Sequence, residues 1–179
     1  MLRQRLIRLA VLGTILAVTP KLISAEEVVV DFENTELGKA VSAYTEQDVS
    51  FRLASEPQKS KAQGRVTFFP HLGDDHKGIV NAMADEAITL RISLPKPATK
   101  ATLMLWGSTT SAARVEAFDR EGRSLVSDGL ERVPIRSSPE EAVPYFTLTL
   151  QAADIVAIEV SGSQPGGFIA VDEIRISYR

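Results

Sequence analysis

The sequence contains no cysteine in its 179 residues. A thiol nucleophile, a zinc-thiolate centre, a disulfide-stapled scaffold and a cysteine-anchored lipoprotein are therefore excluded. Histidine is nearly as scarce, with 2 residues, and tryptophan occurs once among aromatics that make up 6% of the chain. A surplus of positive charge is also missing: 20 Lys and Arg stand against 23 Asp and Glu, for a net charge of −3. Nucleic acid is thus an unsuitable partner, because phosphate binding draws on clustered cations that release counterions. No apolar run reaches the roughly 20 residues a helix needs to cross a bilayer, so a permanent membrane span has no candidate.

What the chain does have begins with an export signal. Met1 to Ala25 holds Arg3, Arg5, Arg8 and Lys21, no acid, and a mostly apolar run from Leu9 to Val18. Pro20 follows the run, and small Ala25 precedes Glu26 and Glu27. This order predicts cleavage after Ala25 and a mature single domain over residues 26–179, periplasmic or extracellular. Cleavage removes four cations and no acid, leaving a more acidic product. With 44% hydrophobic and 24% charged residues the composition is that of a globular domain. At this size a noncovalent core is enough, since a domain of about 150 residues buries roughly 68 to 70% of its unfolded surface.

Short apolar segments separated by Gly, Pro, Asp and Ser at intervals of about ten residues predict an all-β fold. The expected strands are Val28 to Phe32, Val49 to Leu53, Arg65 to Phe69, Ala87 to Leu94, Ala101 to Gly107, Ala113 to Asp119, Ser124 to Val126, Tyr145 to Leu150, Ile155 to Ser161 and Phe168 to Ser177. Ile88, Leu90, Ile92 and Leu94 alternate with polar residues, so one sheet face meets a core. Asp119-Arg120-Glu121-Gly122 predicts a hairpin turn. Pro95 and Pro97 predict an exposed connection from Leu94 to Lys100, because proline cannot donate to a ladder. Leu37, Ala40, Val41 and Tyr44 are spaced for a short helix capped by Asn34 or Thr35, and polar Ser55 to Gln63 reads as a loop.

Val30-Asp31-Phe32-Glu33 with Tyr44 and Val49-Ser50-Phe51, then Val115 to Gly122, then Phe168 to Ile176, resemble exported bacterial jelly-roll domains related to galactose-binding-like and carbohydrate-binding modules. The resemblance spans nearly the whole mature chain and rests on pattern and order. It implies a two-sheet antiparallel β-sandwich, a loop end that binds sugar, and a structural calcium ion where the first and last strands meet. The acids eligible for that ion are Asp31, Glu33 and Asp172, with Glu173 facing solvent if Ile174 and Ile176 face the core. On that alternation Asp172 points inward and needs a cation or hydrogen bonds to offset its lost hydration.

His71-Leu72-Gly73-Asp74-Asp75-His76 gathers both histidines and two acids, but the spacing matches no standard zinc motif, so it reads as a solvated loop. Sugar binding needs an aromatic plate with polar neighbours; Trp106, beside Ser108 to Ser111, is one candidate, with a core role as the competing reading, and Tyr145 is a second. There is no Gly-x-Ser-x-Gly elbow and no phosphate loop, and neither histidine has a triad context. The sequence thus supports a noncatalytic binding module, with carbohydrate or a cell-envelope glycan as the ligand class the resemblance implies. The alternatives are a protein-interaction or structural module of the envelope, which would expose a contiguous apolar patch, and a hydrolase, which would need two acids facing across a cleft.

Overall fold

The computed structural model describes residues 26–38, 40–54, 66–71, 73–81, 89–107, 112–162 and 168–179. The expected leader over residues 1–25, the loop Ser55 to Gln63 and the beginning of the strand at Ala87 lie outside them. Among the described residues the elements are all strands: β1 (Glu27–Val30), β2 (Tyr44–Glu46), β3 (Val49–Leu53), β4 (Val66–Pro70), β5 (Lys77–Asn81), β6 (Leu90–Gly107), β7 (Ala113–Phe118), β8 (Ser124–Leu130), β9 (Phe146–Ser161) and β10 (Ile169–Tyr178). Every pairing is antiparallel.

One ladder folds over on itself to make two layers. In the first, β4, β5, β10, the second half of β6 and the first half of β9 lie side by side, with β1 also on β10. In the second, β2, β3, the first half of β6, the second half of β9, β7 and β8 follow in order. Two long strands therefore belong to both layers. Their crossing point is marked by a break in register between Ser93 and Ala98, where Pro95 and Pro97 have no N–H to give, and by Asp154 on the facing strand at φ 65°. The expected connection at Leu94 to Lys100 is thus a bend within a continuous strand; Pro95 and Lys96 are exposed there, but Ala98 is fully buried.

Period two places the core. Leu103, Leu105, Leu148, Leu150, Val171, Ile174 and Ile176 of the first layer pack with Phe51, Ile92, Val115, Ile158 and Val160 of the second. Asp128 Oδ2 accepts from the Thr149 amide at 2.8 Å, closing the seam where the edge of β8 meets that of β9. A smaller cluster of Val80, Trp106, Val143 and Ala170 sits on the outer side of the first layer. Tyr145 and Phe168 pack against it, and His71 stands edge-on to its Trp106.

The expected helix from Leu37 to Tyr44 does not form. Gly38 takes the left-handed conformation at φ 73°, its amide donates to Phe68 O, and Val41 exchanges backbone hydrogen bonds with Val66. The Gly38 and Val41 amides are spent on β4 and cannot enter a helical ladder.

Candidate functional site

The site begins with one extra residue in β10. Val171 pairs with Leu105 and Glu173 with Met104, leaving Asp172 in a β-bulge. Simple alternation would turn Asp172 to the side of Ile174 and Ile176; instead Val171 and Ile174 both enter the core and Asp172 falls on the outer side with Ala170. It is nonetheless 1% exposed. Burial raises its pKa to about 6, with the charges of Asp74 and Glu33 adding to the rise and those of His76 and His71 opposing it.

The loop between β4 and β5 reaches over this carboxylate. A His71 amide to His76 carbonyl bond of 2.8 Å closes it, and Gly73 at φ 144° lies so near Ala142 that a Cβ there would stand 2.2 Å from that methyl. The solvated loop expected from sequence is therefore half right. His76 is exposed, but His71 is buried, stacked on Tyr145 at 4.2 Å and edge-on to Trp106 at 5.3 Å. Its Nε2 donates to Val143 O at 2.7 Å, and Nδ1 stands 2.9 Å from Asp74 Oδ1. The Tyr145 hydroxyl donates to Asp74 Oδ2 at 2.9 Å and approaches Asp172 Oδ1 at 3.5 Å. Burial, followed by the Asp74 hydrogen bond and the nearby carboxylate charges, holds that phenol far above its usual pKa, so it is a permanent donor. Burial also pushes Asp74 upward, but the His76 amide and the Tyr145 hydroxyl outweigh it and its pKa falls.

The turn after β1 supplies the other wall. Phe32, fully buried at φ 60°, keeps the inward side with Val30 and turns the chain just beyond the strand. Glu33 Oε1, shielded from solvent and without a hydrogen-bond partner, stands 3.2 Å from His76 Nδ1, with Asp172 Oδ2 at 3.7 Å from the same nitrogen. Of the three acids proposed for a metal, Glu33 and Asp172 are thus brought together around an imidazole. Asp31 is not: its Oδ1 accepts from the Glu33 amide at 3.2 Å, and its charge is felt at Tyr44. Lys77 Nζ donates to the Glu33 and Thr35 carbonyls at 2.6 and 3.0 Å. Calcium needs about 6 to 8 oxygen ligands, and here the carbonyls of Phe32, Glu33 and Thr35 are engaged and a nitrogen stands between the carboxylates. Among the described residues no three His, Asp or Glu side chains are grouped to hold a metal. As arranged, these residues do not fit a calcium shell.

Trp106 cannot serve as a sugar plate in this fold, since it is 1% exposed beneath His71 and Phe168. Its indole lies over Gly78, where an added Cβ would come within 2.9 Å of Nε1. Tyr145 is half-buried, with one face on His71 and its hydroxyl engaged, which is the packing of a brace.

The aromatic floor lies on the other flank of the same turn. Asn34, Thr35, Glu36, Val41, Ala43, Tyr44 and Phe68 line a hollow of about 310 Å³. Tyr44 stands edge-on to Phe68 at 4.9 Å and packs near Phe32 and Phe51. Its hydroxyl donates to Glu46 at 2.8 Å, and burial followed by that bond and the charges of Glu46 and Asp31 keeps the phenol protonated. A larger hollow of about 590 Å³ at the far hairpin is lined by Pro97, Asp119, Arg120, Glu121, Arg123, Leu125, Ala153 and Asp154, with no aromatic side chain among these described residues. There Asp119 is occupied with the amides of Glu121 and Arg123 and with the Arg123 guanidinium.

No protein-family model matches the chain, and no curated protein does. Solved structures similar to it include a family 29 carbohydrate binding module from Piromyces equi, at 12% identity over 88% of this chain and 93% of that one, TM-score 0.49. TmCBM61 in complex with beta-1,4-galactotriose is 13% identical over 83% of this chain and 94% of its own, TM-score 0.47. CsCBM6-3 from Clostridium stercorarium in complex with cellobiose is 13% identical over 85% and 94%, TM-score 0.42.

Proposed function

We propose that the mature chain is an exported, noncatalytic carbohydrate-binding module, with a cell-envelope glycan as ligand, and that the hollow floored by Tyr44 and Phe68 is where the sugar rests. The supporting observation is the composition of that hollow: an aromatic floor beside the polar side chains Asn34, Thr35 and Glu36. Pyranose rings present apolar C–H faces to aromatic side chains and hydroxyls to polar ones, so this pairing of surfaces suits a sugar. Its size is at the lower end of the roughly 300 to 1,000 Å³ range of ligand pockets, room for a chain end or one to two residues.

The arrangement of acids favours binding over hydrolysis. Glu33 and Asp172 come together around His76, off the floor of the hollow. Docking of a protein is less favoured, because the exposed large apolar residues among those described form no single patch: Leu37 and Phe69 lie at the β4 edge and Leu125 on β8, at the other end of the strand order.

Isothermal titration with soluble neutral glycans and envelope polysaccharide fragments tests the reading. Binding is expected, weakened about tenfold in Tyr44→Ala, the equivalent of losing about 1.4 kcal/mol of stacking. A smaller loss is expected in Asn34→Ala. Glycans that bind Tyr44→Ala and the unaltered protein equally would move the site elsewhere, and no binding across the panel would remove the function.

A further inference from the structure

We infer that the turn after β1 is braced by the chain's own Lys77 ammonium, in the place where the resemblance implied a calcium ion. Three carbonyls of the turn, those of Phe32, Glu33 and Thr35, already have a protein donor. Phe32 O accepts from the Thr35 amide and hydroxyl at 3.1 and 2.6 Å. Glu33 O and Thr35 O accept from Lys77 Nζ at 2.6 and 3.0 Å. The carboxylates face a nitrogen of the chain as well, with His76 Nδ1 at 3.2 Å from Glu33 Oε1 and 3.7 Å from Asp172 Oδ2. Neighbouring residues of one segment thus address the side chain and the main chain of the same Glu33.

The position of the ammonium is fixed by the sheet. Lys77 opens β5, which pairs with β4 along its length and with β10 at Val171. A calcium ion would have to take both carbonyls from Nζ and then sit beside its charge, which like-charge repulsion opposes. The brace does not depend on what fills the hollow next door.

Thermal melts in excess chelator and in millimolar calcium decide the matter. The unaltered protein is expected to melt at the same temperature in both, and Lys77→Met to melt lower. A melting temperature that rises with calcium or falls with chelator in the unaltered protein overturns the inference, as does Lys77→Met melting like the unaltered protein. If Lys77→Met does not fold, calcium binding measured by equilibrium dialysis on the unaltered protein takes its place. No uptake supports the internal brace, and stoichiometric uptake overturns it.

Discussion

Asp172 has given up nearly all its water for long contacts, 3.5 Å to Tyr145 and 3.7 Å to His76. An acid whose folded pKa lies above its unfolded value binds a proton more readily in the native state. Its ionisation therefore lowers stability as pH rises from 3.8 to about 6, and the full penalty stands at neutral pH. That penalty is on the order of 2 to 3 kcal/mol, at 1.36 kcal/mol for each pKa unit. Asp172→Asn keeps the shape and removes the charge, so it is expected to melt higher at neutral pH and to flatten the profile across that window. Equal melting temperatures at neutral pH for the variant and the unaltered protein would show that His76 and Tyr145 fully compensate the buried charge. The importance of this residue was legible in the sequence but its direction was not, because a single inserted position in β10 moves it to the other side of the sheet. His71 was hidden for a different reason. Its partners Val143 and Tyr145 lie 72 and 74 positions away, and no local spacing announces that contact.

Among elements, the long apolar alternations were plain from composition and the brief ones were not. β9 and β10 carry period-two patterns over many residues, and both form close to where the pattern puts them. β2 has three residues and is held by its hairpin with β3. Its turn places Gln47 and Asp48 at φ 47° and 64°, the left-handed values that a two-residue type I′ connection requires. Gln47 justifies its strain by donating to the Val29 carbonyl; among the described residues no such bond is shown for Asp48. Asp48→Gly is therefore expected to stabilise the fold by up to about 1 kcal/mol, by relieving the side-chain clash of a left-handed residue. Chemical denaturation would register this as a later midpoint at unchanged slope, and an earlier midpoint would mean that the Asp48 carboxylate makes a contribution of its own. The two halves of β6 and of β9 were readable as strands, but their continuity was not. Proline signals the loss of a ladder bond, and the sequence does not say whether the chain turns away or only bends there.

For the whole molecule, sharing β6 and β9 between layers ties the two sheets into one cooperative body. One core cluster draws on both layers, so neither half retains a closed interior without the other. The loss of sheet signal in circular dichroism and the red shift of Trp106 emission are expected to coincide on heating. Trp106 is the only tryptophan and lies in the outer cluster, so an earlier fluorescence transition would reveal that the cover of His71, Tyr145 and Phe168 opens before the sandwich. A sugar in the hollow beside the β1 turn would then be felt mainly as an upward shift of that single transition, by mass action on the native state.

The pairing of the first strand with the last sets how the domain answers to tension. Glu27 lies opposite Ser177, and the Tyr178 amide donates to the Glu26 carbonyl, so both ends of the sandwich leave from one corner. A force drawn between them loads the rungs of β1 and β10 in succession, as a zip is opened, instead of shearing them together. A domain tethered on both sides would peel at low load from that corner, while one held by a single end and gripping a glycan would keep those rungs out of the line of pull.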